Sequence, residues 1–297
     1  MNNEKPDWVE SFCQRHRLPE TYALDARDYF QPLLEQLCLL EGDRQQTLIV
    51  GINGAQGTGK STLGDFLVTG VAEQAGLNAV SLSLDDLYLS KAGRERLAGQ
   101  IHPLLKIRGV PGTHDLHLAE LFFDQLFNQD EPSVQVPCFD KSVDDRQNKE
   151  LWPWVDKPID LLVLEGWCVG CLQQPDSALD EPLNALEREE DANGAWRKFV
   201  NRSLIEYQLK LWSRLDCLVM LQAPNFEQVY EWRSRQEEKL VQRTGTPTEL
   251  SNADAMQRFI SHYERLTRWM LQEMPQRADW VFELDQTQRI VRNHRHG

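Results

Sequence analysis

A short apolar, β-branched run at residues 47–53 leads directly into the segment GAQGTGKS at residues 54–61. The run is typical of a strand buried on both faces, and the segment fits the phosphate-binding pattern G-x-x-x-x-G-K-[ST] at every fixed position. Glycines allow backbone N–H groups to turn inward around a phosphate, and the helix predicted after Ser61 adds its N-terminal amides. The pattern therefore predicts a strand–loop–helix unit that binds a nucleoside triphosphate.

The residues of this phosphate-binding loop have distinct predicted roles. Lys60 supplies a point charge for the β- and γ-phosphates, and the Ser61 hydroxyl is suited to ligate Mg²⁺. A chance match in a glycine-rich turn is the alternative, and the strand before the loop and the helix after it argue against that alternative. The predicted nucleotide-binding set is Gly54, Ala55, Gln56, Gly57, Thr58, Gly59, Lys60, Ser61 and Thr62.

Four more apolar runs repeat the buried-strand pattern, at residues 78–84, 159–165, 216–222 and 280–285. Helical patterns separate them, which predicts an α/β fold with a five-stranded parallel sheet and helices on both faces. We predict a single domain over residues 1–297. Residues 89–115 and 172–194 read as a surface excursion and an exposed acidic loop. The predicted subdivisions are an N-terminal helical extension (1–46), an acceptor-side insertion (89–150) and a lid helix (226–243).

Charge and composition limit the partners. The 297-residue chain has a formal net charge of −14, which argues against a nucleic-acid or anionic-membrane partner. Its first eight residues, MNNEKPDW, lack the layout of a signal peptide, and no apolar run approaches the roughly 18 residues of a membrane helix. We expect a cytoplasmic protein that acts on a small molecule, with its oligomeric state left open. Cys168 and Cys171 match a C-x-x-C redox motif, so a redox or metal-binding role for this pair is a minor alternative to structural free thiols.

Further motifs narrow the nucleotide chemistry. The guanine-reading N-K-x-D is absent, because its nearest match, at residues 148–151, lacks the aspartate. Glu165 ends a predicted strand, where its carboxylate could hold Mg²⁺ or its waters. Asp85 and Asp86 end another, and ligands of open α/β sheets gather at the carboxyl ends of strands. One of these two aspartates is the predicted base for transfer to a hydroxyl, with simple turn chemistry as the alternative.

The combined motifs resemble those of the uridine kinase, phosphoribulokinase and pantothenate kinase superfamily of P-loop kinases. Within it the chain is similar to the plant-type D-glycerate 3-kinase family and its fungal and bacterial relatives. The segments that carry this resemblance are SLDDLYLS (83–90), RGVPGTHDL (108–116), VPCFDKSVDDR (136–146), YEWRSRQEEKL (230–240) and SNADAMQRFISHY (251–263).

The resemblance implies a role for each matching residue. It implies that Asp85 is the base, acting with Lys60 and a lid arginine, Arg233, and that Arg235 joins the nucleotide site. It also implies an acceptor region, where an Arg or Lys clamp would suit a carboxylate and Asp or His would suit hydroxyls. The acceptor residues are Asp86, Tyr88, Arg108, His114, Asp115, Asp140, Lys141 and Arg146.

Together these patterns predict an ATP- and Mg²⁺-dependent kinase that phosphorylates a hydroxyl of a small polar metabolite, with D-glycerate as the first candidate. Two alternatives stay open from the sequence. One is the same reaction on a nucleoside or a pantothenate-like acceptor. The other is a regulatory protein that binds ATP or hydrolyses it slowly.

Overall fold

The computed structural model describes residues 7–42, 46–128 and 130–296. Its α-helices are α1 (Trp8–His16), α2 (Glu20–Asp25), α3 (Gln31–Gly42), α4 (Lys60–Ala75), α5 (Lys91–Gln100), α6 (Leu116–Phe127), α7 (Ala185–Glu190), α8 (Ala195–Lys210), α9 (Phe226–Thr244) and α10 (Ala253–Glu273). Its strands are β1 (Leu48–Gly54), β2 (Ala79–Ser83), β3 (Ser133–Gln135), β4 (Phe139–Asp140), β5 (Asp145–Arg146), β6 (Trp154–Asp156), β7 (Leu161–Gly166), β8 (Cys217–Gln222), β9 (Trp280–Leu284) and β10 (Ile290–Arg295).

The central sheet has the order β10-β9-β8-β1-β7-β2 within the described residues, and every neighbouring pair is parallel except β9 with β10. The predicted parallel strands are confirmed. The five-stranded count was wrong, because β10 adds an antiparallel edge strand. Its sequence, IVRNHR, buries only Ile290 and so lacks the apolar run of a central strand. In the part of the chain described here, no helix is both long and apolar enough to cross a bilayer.

The N-terminal helices pack on one face of the sheet, against α4. Phe12 and Phe66 meet edge to face with ring centroids 5.4 Å apart, and Leu34 packs at the position of Gly70, where a Cβ would collide with it. The predicted helical layer is therefore present at residues 7–42. Residues 1–6 and 43–45 of the predicted extension lie outside the described residues.

The prediction of a surface excursion at residues 89–115 was wrong. Arg94 of α5 is 1% exposed and donates to Leu89 O at 2.7 Å and to Asp144 Oδ2 at 2.6 Å. Leu104 and Leu105 are buried in the main core. The charged residues of this segment suggested solvent exposure, but Arg94 is buried because hydrogen-bond partners compensate its charge. One of these partners, Asp144, lies outside the segment, so sequence spacing does not reveal it.

The prediction of an exposed acidic loop at residues 172–194 was also wrong in part. Glu187 of α7 is fully buried and binds Arg265 of α10 at 2.6 Å, and Asp191 binds Arg197 of α8 at 3.0 Å. Buried carboxylates are tolerated when they are paired and hydrogen-bonded, as these two are. The acidic segment is thus held onto helices α8 and α10.

Cys168 and Cys171 are free thiols with no exposed surface. Burial raises the pKa of both thiols. The thiolate is the reactive form of cysteine, so this environment disfavours the redox alternative.

Candidate active site

A cleft of about 1090 Å³ opens at the carboxyl ends of β1, β2 and β7, and helices α9 and α10 form its far wall. In a parallel sheet these strand ends lie at one edge, so residues that follow different strands meet there. The cleft brings together about half of the predicted site residues: Gln56, Gly57, Lys60, Ser61, Asp85, Tyr88, Arg108, Lys141, Glu165 and Arg233.

The phosphate-binding loop forms the floor of this cleft, between β1 and α4. Gly57 and Gly59 have φ values of 86° and 89°, a left-handed region that favours glycine. A Cβ on Gly57 would lie 2.7 Å from the Cβ of Trp232, so the close approach of α9 also requires glycine. Because α4 begins at Lys60, its free N-terminal amides face the loop, an arrangement that suits a phosphate.

Ser61 and Glu165 form a candidate magnesium site beside the loop. The hydroxyl of Ser61, in the first turn of α4, donates at 3.1 Å to Oε1 of Glu165, near the end of β7. Glu165 is buried, and its Oε2 has no hydrogen-bond partner among the described residues. An orphaned buried carboxylate oxygen fits a hard cation. The described residues hold no cluster of three or more metal-ligating side chains, and Mg²⁺ at phosphate sites commonly needs only one or two from the protein.

Asp85 faces the cleft from the short 3₁₀ turn that follows β2. Its Oδ1 accepts from the Tyr88 hydroxyl at 2.7 Å, and its Oδ2 accepts from Lys141 Nζ at 2.5 Å. Burial by itself would raise the pKa of Asp85, but the charge and hydrogen bond of Lys141, the Tyr88 hydroxyl and the charge of Lys60 outweigh burial and lower it. The carboxylate is therefore ionised at neutral pH and oriented from two sides.

Cations that the sequence analysis did not single out line the same cleft: Lys106 before Arg108, Lys239 and Arg243 on α9, and Arg258 on α10. Arg108 pairs with Asp144 and stacks 5.6 Å over the ring of Phe139. The signal for the α9 residues was available, because residues 233, 236, 237, 240 and 243 recur at helical spacing and lie on one face. A cleft this basic in a chain of net charge −14 suits anionic ligands.

The two predicted lid arginines lie in different environments. Arg233 is in the cleft wall, paired with the buried Glu237 at 3.0 Å and 5.6 Å over the ring of Phe259. Arg235 is 58% exposed, pairs with Glu231 at 3.3 Å and does not line the cleft. Residues two positions apart in an α-helix differ by about 200° in direction around the helix axis, so the side chains of Arg233 and Arg235 point to opposite sides.

Five predicted acceptor residues do not line the cleft: Asp86, His114, Asp115, Asp140 and Arg146. Asp86 accepts from the Phe139 amide at 3.0 Å, and Asp140 accepts from the Ser142 amide at 2.8 Å. Asp115 caps α6 and binds Arg146 at 2.8 Å. These contacts hold together the loops that carry Asp85 and Lys141. Direct contact of these five residues with an acceptor stays a prediction.

Comparison with known proteins places this cleft in context. No family model matches the chain. The kinase mug58 of Schizosaccharomyces pombe is 32% identical over 222 residues, which is 72% of this chain and 78% of that protein. The chloroplastic D-glycerate 3-kinase of Arabidopsis thaliana is 26% identical over 253 residues; the match spans 80% of this chain and only about half, 52%, of the plant protein.

Solved structures share the fold. The D-glycerate 3-kinase of Cryptococcus neoformans var. grubii superposes with a TM-score of 0.72 at 24% identity, covering 89% of this chain and 99% of the fungal chain. At that identity the likeness concerns the fold alone.

Proposed function

The chain belongs to the family of ATP-dependent P-loop kinases that includes mug58 and the D-glycerate 3-kinases, and we propose that its acceptor is D-glycerate, phosphorylated on a hydroxyl to give 3-phosphoglycerate. Kinase activity follows from the family. The choice of D-glycerate is supported by the similarity to the Arabidopsis D-glycerate 3-kinase and by the cations and the Asp85 carboxylate that line the cleft.

One observation carries the proposed mechanism: the ionised Asp85 shares a cleft with the phosphate-binding loop and with Arg108. Phosphoryl transfer to an alcohol needs a carboxylate that orients the hydroxyl and accepts its proton. In the proposed step the acceptor hydroxyl gives its proton to Asp85 while its oxygen bonds to the γ-phosphorus. The bond between that phosphorus and the β–γ bridging oxygen breaks, and ADP leaves.

Positive groups surround the phosphates in this scheme. The amides of residues 57–61 and the Lys60 ammonium bind the β- and γ-phosphates, and Arg233 stabilises the charge on the transferring group from the α9 side. Ser61 and Glu165 would hold Mg²⁺, which would supply neutralisation of the triphosphate charge. Helices α9 and α10 form the wall opposite the phosphate-binding loop and supply Arg233 and further cations to the same cleft.

The acceptor carboxylate pairs with Arg108 in this proposal. A guanidinium forms two parallel hydrogen bonds with a carboxylate, and Arg108 is already held in place by Asp144 and Phe139. Lys106 and Lys141 add positive charge on the same side of the cleft. D-Glycerate carries one carboxylate and two hydroxyls, so it complements a cation and the Asp85 base together.

A coupled ADP-release assay tests the acceptor. D-glycerate, L-glycerate, nucleosides and pantothenate are compared as acceptors, with the Lys60→Met variant as the inactive control. We expect D-glycerate to accelerate ADP release most, and NMR of the product to locate the phosphate on the terminal hydroxyl. A faster reaction with a nucleoside or pantothenate would replace D-glycerate as the acceptor. ADP release that no acceptor accelerates would contradict the proposal.

A further inference from the structure

Three buried aromatic side chains form a row that ends at Asp85. The Tyr88 hydroxyl binds Asp85 Oδ1 at 2.7 Å, and the Tyr88 ring stacks on His114 with centroids 4.6 Å apart and planes 25° apart. His114 Nδ1 lies 2.6 Å from the hydroxyl of Tyr207 on α8. Tyr88, His114 and Tyr207 are 4%, 4% and 1% exposed, and the latter two do not line the cleft. The row thus links the cleft carboxylate to a helix behind it.

The backbone fixes the stacking of Tyr88 on His114. An isolated antiparallel bridge joins these two residues, with Leu89 N donating to Thr113 O at 2.9 Å and Asp115 N donating to Leu87 O at 2.6 Å. These bonds flank the pair, so Tyr88 and His114 occupy a non-hydrogen-bonded position, where Cβ atoms are closest. The two rings are therefore held face to face by the chain itself.

Tyr207 fixes the other end of the row. Its hydroxyl accepts from the amide of Gly112 at 3.0 Å, in the turn that precedes His114. A hydroxyl has one proton to donate, so the arrangement that satisfies both neighbours has Tyr207 donating to His114 Nδ1. Burial lowers the pKa of His114 to about 3, so the ring is neutral at physiological pH. A neutral ring that is buried behind Tyr88 is unsuited to bind an anionic acceptor directly.

We propose that His114 and Tyr207 are positioning residues, which hold the ring of Tyr88 and, through its hydroxyl, the carboxylate of Asp85. The inference rests on the proposed role of Asp85 as the base. It assigns a role to Tyr207, which no sequence motif indicated, and it gives His114 a different role from the predicted acceptor contact. A misplacement of about 1 Å in a reacting group is enough to cost about a hundredfold in rate, so a fixed Tyr88 ring matters for turnover.

A purely structural role would have different consequences. Loss of core packing lowers the free energy of unfolding and leaves the titration of Asp85 unchanged, whereas loss of positioning weakens the Tyr88 hydrogen bond to the carboxylate. That bond helps to lower the pKa of Asp85, so its loss raises that pKa. Besides Lys141 and Tyr88, five titratable groups interact electrostatically with this carboxylate when they are ionised: Lys60, Asp86, His114, Cys168 and Tyr263.

The decisive experiment follows the Asp85 carboxyl by ¹³C NMR titration in the wild type and in Tyr207→Phe, with the signal assigned through Asp85→Asn. The matched control is Tyr22→Phe, which also removes a buried hydroxyl, on α2, in a different core cluster. We expect the Asp85 pKa to rise in Tyr207→Phe and to stay unchanged in Tyr22→Phe. Tyr88→Phe removes the hydrogen bond from the Tyr88 hydroxyl to Asp85, so it gives the largest increase in the Asp85 pKa that loss of this bond can produce.

Kinetics give a second readout. We expect kcat of Tyr207→Phe to fall about tenfold while KM for ATP is unchanged, because the nucleotide contacts are intact. Should Tyr207→Phe not fold, His114→Phe and His114→Ala replace it. His114→Phe keeps a stacked ring and should retain more of the wild-type Asp85 titration than His114→Ala. An Asp85 titration identical to wild type in Tyr207→Phe, or in both His114 variants, overturns the inference. The NMR readout needs no turnover, so this outcome is separable from a failure of the proposed acceptor.

Discussion

The ammonium of Lys141 lies 2.5 Å from Oδ2 of Asp85, although the two residues are 56 positions apart in the chain. Lys141 is an exposed residue of the β4–β5 hairpin, whereas Asp85 follows the half-buried edge strand β2 of the central sheet. The hairpin therefore carries a cation to the carboxylate from outside the sheet. Because this contact helps to set the charge state of Asp85, the hairpin is coupled to the proposed base.

Asp85→Asn should remove the proposed base. We expect kcat to fall about a thousandfold, because general-base contributions of that size are common, while ADP binding by calorimetry stays within about twofold. Asp28→Asn, at an exposed position of the N-terminal helical layer, is the control. Substantial turnover by Asp85→Asn, at more than about a tenth of the wild-type rate, would exclude Asp85 as the base.

Lys141→Met should shift the pH dependence of kcat/KM. The Lys141 charge and hydrogen bond lower the pKa of Asp85 against the opposing effect of burial, so their removal raises that pKa. The base acts only when ionised, so activity is lost as the pH falls through its pKa. We expect the acid limb of the profile to move to higher pH. The same substitution at Lys198, an exposed residue of α8, is the control, and superimposed acid limbs for Lys141→Met and wild type would contradict the prediction.

Glu165→Gln should weaken the response to Mg²⁺. Glu165 offers a buried oxygen without a partner among the described residues, and a neutral amide is a poorer ligand for a hard cation. We expect the Mg²⁺ concentration for half-maximal activity to rise about tenfold. Glu231→Gln, on the exposed face of α9, should leave the Mg²⁺ concentration for half-maximal activity unchanged. Coincident Mg²⁺ curves for Glu165→Gln and wild type would rule out Glu165 as a ligand.

Arg233→Gln and Arg235→Gln form a matched pair on one helix. Arg233 faces the cleft, so its loss should lower kcat about a hundredfold through lost charge stabilisation in the transition state. Arg235 faces solvent and pairs with Glu231, so we expect kcat and KM for ATP to change by less than about twofold. Steady-state kinetics at saturating acceptor separates the two. Equal losses in both variants would mean that helix α9 turns its other face to the nucleotide during turnover.

Glu187→Ala should destabilise the fold. Glu187 is fully buried with Arg265, and removal of one partner leaves a buried charge uncompensated, at a cost of about 3 kcal/mol. Glu227→Ala breaks an exposed pair with Arg268 and should cost less than about 1 kcal/mol. Urea unfolding monitored by tryptophan fluorescence measures both. Similar losses in the two variants would show that Glu187 contributes no more than a surface pair.

Local patterns predicted the parallel strands and the phosphate-binding loop well. An apolar run of β-branched residues has one stable environment in an α/β protein, between two layers of helices, so β1, β7 and β8 could be predicted from composition alone. The glycine pattern likewise fixes a backbone shape, as the φ values of Gly57 and Gly59 confirm. The fold class followed from how these runs alternate with helical patterns.

Polar residues that act through distant partners were not predictable in this way. From the sequence, Arg94 resembles a surface charge and Glu187 resembles part of an acidic loop. In the structure Arg94 is paired with Asp144, and Glu187 is paired with Arg265. The edge strand β10 has no apolar run, so only its pairing with β9 reveals it. In each case the stabilising partner is far away in the sequence, and spacing carries no information about it.

Local patterns were enough to locate a phosphate-binding loop between a buried strand and a helix, because glycine, lysine and serine at that spacing suit a phosphate. Which polar residues face the cleft depends on the folded chain. It brings Lys141 to Asp85, turns Arg233 inward and Arg235 outward, and buries His114 behind Tyr88. A side chain's charge state and hydrogen bonds depend on the groups packed against it, and here those groups come from distant parts of the chain.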